Sequence, residues 1–125
     1  MILKILSVFI GGGFGAVLRY LLSVLSSRFF LVPLFGTFCA NLLGCLFIGY
    51  IFGVMLNKIV IMPENVKLLL TAGFLGGLTT FSTLNLETFE FFRCGKVFEG
   101  CVYLILSCIF GLLFVYFGFR ISAWN

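Results

Sequence analysis

Apolar residues run along this chain in four long blocks, over residues 5–26, 34–57, 67–92 and 97–121, separated by short polar breaks. Each block is long enough for a membrane-crossing helix, which needs about 20 mostly apolar residues. The breaks carry turn chemistry. Ser26, Ser27, Arg28 and Pro33 mark the first, Asn57, Lys58, Pro63, Glu64 and Asn65 the second, and Arg93, Gly95 and Lys96 the third. The pattern predicts an all-α integral membrane protein, residues 1–125 forming one unit of four transmembrane helices with no soluble domain. Tyr20 and Trp124 suit the membrane interfaces, where amphipathic rings are favoured. Met1 to Phe9 begins like a secretory signal, with Lys4 ahead of an apolar run. Gly11 to Gly13 interrupt that run early, Arg19 lies within the block, and no A-x-A-like site follows, so the block is read as a retained span.

Composition strengthens the membrane reading. Apolar residues make up 62% of the 125 and charged ones 10%, against roughly 45–50% and ~25% in an ordinary soluble domain. A small fold has too much surface for its volume to hide that much apolar side chain from water. The net charge of +4 contains no basic run, which argues against a nucleic-acid partner. There is no histidine, the usual general base and commonest metal ligand. The five cysteines, Cys39, Cys45, Cys94, Cys101 and Cys108, form no C-x-x-C pair and read as small buried hydrophobes. The four acids, Glu64, Glu87, Glu90 and Glu99, fall near predicted helix ends with no histidine or nucleophile–base pair beside them, so an enzyme is not expected. Glu87 is expected to meet a backbone group or Arg93.

The distribution of charge bears on orientation. With four spans, both termini and the second connection share one face, which receives Lys4, Lys58, Lys67 and Arg120. The other face receives Arg28, Arg93 and Lys96. Positive residues normally accumulate on the cytoplasmic side; four against three leaves almost no bias. Such a chain can insert both ways, and two opposite copies can pair about a twofold axis in the membrane plane.

Small and polar residues mark the candidate chemistry. In lipid, helices associate through small residues and interhelical hydrogen bonds. Gly11 and Gly15, with Gly12 and Ala16 beside them, read as such a packing face; the spacing is not that of a dinucleotide-binding loop. Thr37, Asn41, Cys45, Gly49 and Gly53 recur at steps of four and share one stripe of the second helix. An amide at the depth of Asn41 is costly without a partner, so it either bonds a neighbouring helix or serves a ligand pathway. The third block contains Gly73, Gly76 and Gly77 and then Thr79-Thr80-Phe81-Ser82-Thr83. Adjacent glycines cost about 1 kcal/mol each in a helix interior, so a broken helix is expected there at mid-membrane. Irregular backbone at that depth must be buried in protein or line a wet cavity. Its carbonyls suit a hard cation, and the amides of the next half-helix suit an anion. In the fourth block Tyr103, Ser107 and Gly111 share a stripe, while Phe110, Phe114 and Phe117 face lipid by default. Arg19, inside the first span, should snorkel to an interface or face a wet vestibule.

Three of these segments together resemble the Fluc (CrcB) fluoride channel family. Gly12-x-x-Gly15-Ala16-x-x-Arg19-Tyr20, Gly36-Thr37-Phe38-x-x-Asn41-x-x-Gly44 and Gly73-Phe74-x-Gly76-Gly77-Leu78-Thr79-Thr80-Phe81-Ser82-Thr83 are similar to that family's patterns in the first, second and third helices. The resemblance covers essentially the whole chain. It implies an antiparallel homodimer, or a pair of unlike subunits, with two narrow pores each built from both chains. Fluoride would leave the cytoplasm passively through a multi-pass protein of the bacterial inner membrane, conferring fluoride resistance. The resemblance assigns the anion pathway to Asn41, Thr37, Phe81, Ser82, Thr83, Tyr103 and Ser107, with Arg19 near its vestibule. It assigns a central structural sodium ion to the backbone carbonyls of Gly76 and Thr79, and no organic cofactor. Phe81 would offer the anion its positive ring edge. Hydroxyls, an amide and ring edges replace water around a small anion without a full charge to trap it.

The chain departs from the family pattern at Leu84, where a second phenylalanine is usual, at Asn85 in place of a hydroxyl, and at Gly111, where many relatives have serine. Two other readings fit four spans. A small proton-coupled multidrug exporter needs a membrane-embedded carboxylate, normally in the first helix, and none is there. A non-conducting subunit of a heterodimeric channel is the other, and the expected break argues against it.

Overall fold

The computed structural model describes residues 1–29, 34–57 and 61–123. The expectations for Pro33, Lys58 and Trp124 fall outside them. Helix α1 covers Ile2–Phe29 and α2 covers Leu34–Leu56. The third span comprises α3 (Glu64–Leu68), a π-helical segment (Leu69–Leu75), α4 (Gly76–Leu78) and α5 (Phe81–Arg93). Helix α6 covers Val97–Ser122. Four helical stretches, Ile2–Phe29, Leu34–Leu56, Glu64–Arg93 and Val97–Ser122, are long and apolar enough to cross a membrane. The protein is therefore a multi-pass membrane protein.

The helices overrun the expected breaks. Ser26, Ser27 and Arg28 belong to α1 rather than to a turn. In lipid, serine loses little by staying helical, because its hydroxyl bonds the carbonyl one turn back: Ser27 Oγ donates to the Ser23 carbonyl at 2.9 Å. Glu64 and Asn65 likewise open α3, whose preceding residue is Pro63, and place an acid at the positive end of the helix. Helix α5 stops in a Schellman motif. Gly95 (φ 75°) takes the left-handed conformation, its N–H bonds the Phe92 carbonyl at 3.0 Å, and Lys96 N–H bonds that of Phe91 at 2.9 Å.

Thr79 (φ −82°, ψ 151°) and Thr80 (φ −148°, ψ 115°) are extended and separate α4 from α5. The two parts have different neighbours. Helix α1 packs against α3, the π segment and α4, whereas α6 packs against α5 and, more extensively, against α2. Helix α2 touches both parts. The small residues make these approaches possible. A Cβ on Gly11 would overlap the Leu69 carbonyl oxygen, and one on Gly15 that of Phe74. Between α2 and α6 the exchange is reciprocal: Gly49 faces the Val115 carbonyl and Gly118 that of Leu46. The glycine cluster expected to pack helices does so.

Most large apolar side chains point outward, as they must when lipid is the solvent; Phe14 on α1 is 69% exposed and Leu112 on α6 is 74% exposed. The interior is small, centred on Ala40, Leu75 and Leu78. The Lys4–Glu64 ion pair (2.6 Å) joins the start of α1 to the start of α3, which sets the N-terminus and the second connection on one face. Both partners are exposed, so the pair adds little stability.

Two glycines test the packing account. Gly15→Ala should lower stability by about 1–3 kcal/mol, because the methyl meets backbone that cannot swing aside. Gly13→Ala, with nothing within 4 Å of its added methyl, should be neutral or stabilising by about 0.5–1 kcal/mol. Thermal unfolding of both variants in detergent checks the contrast; equal losses would reject it.

Candidate functional site: two polar layers beside an open cleft

Asn41, one turn beyond Thr37 on α2, faces the extended pair Thr79–Thr80. Its Oδ1 accepts a hydrogen bond from the Thr80 N–H at 2.8 Å, and its Nδ2 donates to the Thr80 carbonyl at 3.3 Å. In an uninterrupted helix that Thr80 N–H would bond the Gly76 carbonyl. With Asn41 taking it, the Gly76 carbonyl loses its helical donor. The same happens at Thr79. The Thr83 N–H, which would bond the Thr79 carbonyl, bonds Thr80 Oγ1 at 3.2 Å. Thr80 thus caps α5, and its hydroxyl also lies 3.1 Å from Ser82 Oγ and 3.0 Å from Thr83 Oγ1. Asn41 and Thr80 together release the two carbonyls that the resemblance assigns to a cation.

A second cluster lies one turn away. The Glu87 carboxylate, half-buried at the middle of α5, accepts from Thr37 Oγ1 at 2.7 Å and from Tyr103 OH at 2.7 Å, one hydroxyl on each oxygen. Glu87 therefore meets neither a backbone group nor Arg93, contrary to the expectation from sequence, and it does not lie at a helix end. Two short hydroxyl donors are what a carboxylate needs in apolar surroundings. Its usable sequence signal was the four-residue spacing from Thr83, which puts both on one face of α5.

The site thus has two layers, each drawing on α2, α5 and α6. Thr37, Glu87 and Tyr103 form one; Asn41, Thr83 and Ser107 lie one turn away along the same three helices. Ser107 Oγ itself donates to the Tyr103 carbonyl at 2.8 Å. A cleft of about 590 Å³ opens beside the second layer, lined by Asn41, Cys45, Gly76, Thr79, Thr80, Phe81, Leu84, Ser107 and Gly111 among others. Tyr103 lines a separate recess of about 190 Å³ with Leu34, Phe35, Phe38 and Leu106.

The other expected residues divide. Phe81 stands at the cleft, 75% exposed, with its ring uncovered by its own chain. Ser82 and Thr83 sit in the first turn of α5, their hydroxyls tied to Thr80. Arg19 is half-buried on α1, which contributes nothing to the cleft lining, so the fold does not bring it to the layered site. Leu84 is buried against the cleft, and Asn85 turns back to donate to the Phe81 carbonyl at 2.8 Å. Phe110 departs from a purely lipid-facing role: it meets Phe38 edge-on, with ring centroids 6.2 Å apart.

The family model described as "CrcB-like protein, Camphor Resistance (CrcB)" matches residues 6–119. The chain belongs to the CrcB family. Among its relatives, the fluoride-specific ion channel FluC of Azobacteroides pseudotrichonymphae is 42% identical over 124 residues, covering 98% of each chain. The FluC of Desulfotalea psychrophila is 43% identical over 121 residues, covering 97% of this chain and 93% of its own. That of Aquifex aeolicus is 37% identical over 116 residues, covering 92% and 93%. The CrcB-family chain is thus matched to these channels across nearly its whole length.

The Glu87 cluster makes a stability prediction. Removing either hydroxyl, by Thr37→Val or Tyr103→Phe, strands one carboxylate oxygen and should cost about 1–3 kcal/mol. Combining Tyr103→Phe with Glu87→Leu should cost less than the sum of the two. Thermal unfolding of the four proteins closes the cycle, and strict additivity would show that the two groups are not coupled.

Proposed function

We propose that this CrcB-family protein is a fluoride channel of the bacterial inner membrane, conducting passively as an antiparallel dimer whose pathways run past the two polar layers. The observation that carries this reading is Asn41, an amide held by Thr80 beside an open cleft. Its Nδ2 has two protons; one goes to the Thr80 carbonyl, and the other is left for an anion. The third span is broken at mid-membrane depth so that Asn41 can be held in this way. Thr37 and Tyr103 continue the hydroxyl-bearing path one turn further, and Phe81 presents a ring edge whose polarity suits an anion. The free Asn41 proton and the Phe81 ring edge attract an anion without adding a fixed positive charge, so an anion that sheds water here can also leave. Glu87 orients the two hydroxyls and opposes overly tight anion binding. The names of the relatives supply the ion.

The dimer reading is supported by the exposed Phe81, by the cleft that opens on the same face, and by the nearly even charge between the two membrane faces. A second, inverted copy covers that face. The Gly76 and Thr79 carbonyls fit a structural sodium ion, since both have lost their helical donors and bare carbonyls suit a hard cation. Held there, sodium would supply a positive charge that satisfies backbone otherwise unpaired in apolar surroundings. Family membership disfavours the proton-coupled exporter.

Anion efflux from liposomes containing the purified chain alone tests the proposal. Fluoride should leave rapidly while chloride is retained. Asn41→Asp, which keeps the acceptor for Thr80 N–H but places a negative charge at the cleft, should slow fluoride by roughly tenfold or more. Silence from a well-folded dimer would reject the homodimeric channel and direct attention to an unlike partner subunit; equal chloride flux would reject selectivity.

A further inference from the structure

Cys45 and Cys108 belong to different helices, α2 and α6, yet both line the 590 Å³ cleft beside Asn41. Cys45 approaches α6 at Gly111. Cys45 Sγ lies 3.4 Å from the position a Cβ on Gly111 would take, so the thiol from α2 fills space that a fourth-helix side chain would otherwise occupy. Cys108 is one turn before Gly111 on α6, and residues three apart on a helix carry their Cβ atoms about 5–6 Å apart. Both cysteines are free thiols, with no hydrogen bond among the described residues. Cys45 is half-buried and Cys108 exposed; Cys39, Cys94 and Cys101 are exposed too but do not line the cleft.

We propose that Cys45 and Cys108 form a two-thiol site for a soft monovalent cation of the Cu⁺ or Ag⁺ type, and that its occupancy closes the anion path. Thiolate sulfur selects such ions, and metal–sulfur bonds of about 2.3 Å place two bridged sulfurs roughly 4–5 Å apart, which is the separation the proposed site requires of Cys45 and Cys108. No group of three or more histidine, cysteine or acidic side chains converges among the described residues, so the site suits a two-coordinate ion rather than tetrahedral zinc. The chemistry balances simply. Each thiol releases its proton to the medium as its sulfur–metal bond forms. Two thiolates and one monovalent cation leave one net negative charge. That charge would stand in the cleft lined by Asn41, where it repels an entering anion as well as obstructing it.

The binding arm of this inference is independent of the channel reading; the blocking arm rests on it. The test uses a full-length chain carrying Cys39→Ala, Cys94→Ala and Cys101→Ala, leaving the cleft thiols alone, with Ag⁺ as probe in chloride-free medium. Titration of the detergent-purified protein should show one Ag⁺ taken up per chain, two protons released, and both thiols protected from maleimide. Adding Cys45→Ala or Cys108→Ala should each abolish the bridged stoichiometry. In liposomes, Ag⁺ should slow fluoride efflux by roughly tenfold or more through the like-charge repulsion, reversibly with dithiothreitol, and the Cys45→Ala/Cys108→Ala protein should be insensitive. Independent uptake of two Ag⁺ per chain would overturn the bridged site, as would Ag⁺ binding unaffected by either substitution. Bridged binding with undiminished efflux would overturn the closure. A chain that binds one Ag⁺ as described but passes no fluoride before Ag⁺ is added leaves the bridged site supported and rejects the channel reading instead.

Discussion

Backbone polarity in an apolar solvent governs this molecule. A peptide group that leaves a helix within a span must find its partners in the protein, because lipid offers none. At Thr79–Thr80 the chain does leave the helix, and the reciprocal pair between the Asn41 amide and Thr80 takes up the exposed N–H and carbonyl. The rest of the site follows from that pair. It directs α5 away from α4, gives α5 a threonine cap, and brings Thr83 and Glu87 to face α2 and α6. Without Asn41, a continuous helix through Thr79–Thr80 would satisfy the same groups better than a break would.

The glycine seams serve the same constraint from another direction. With little hydrophobic drive to join apolar helices in lipid, close backbone approach has to supply the attraction. Gly11 and Gly15 let α1 lie against the π-helical segment and α4, and Gly49 and Gly118 let α2 and α6 interlock. Helix α2, packed between α1 and α6, is thereby held beside the break in the third span, close enough for one short amide to reach Thr80 and one hydroxyl to reach Glu87. Packing of carbon sets the distances at which the polar groups work.

Glu87 gives the site its character. A carboxylate is the least expected residue beside a proposed anion path, yet here each oxygen takes a hydroxyl proton from another helix. The two hydrogen bonds satisfy the carboxylate and tie α2, α5 and α6 at one level. The uncovered face beside it, with Phe81 exposed and the cleft open, is where the proposed inverted copy would complete the path.

The four spans were legible in the sequence because their cause is one-dimensional: a run of apolar residues of sufficient length must be helical in a bilayer whatever its neighbours are. Glycines at steps of four announced close packing for the same reason, since a helix's own period fixes which residues share a face. Asn41 and the threonine run could be singled out because polarity inside an apolar block stands out against it. What they bond to could not be read. Whether Asn41 served a neighbour or a ligand depended on which segment lay opposite, and the fold places Thr80 there. Glu87 was misassigned because its partners, Thr37 and Tyr103, lie 50 and 16 residues away along the chain, and only the packing of α2 and α6 about α5 brings them to one carboxylate. The ends of α1 and α3 were set too short, since serine and the residues after a proline can be helical when the surroundings reward it. Helix position and facing follow from local composition and period; pairing across helices follows from the close approach of backbones, which tertiary structure alone decides.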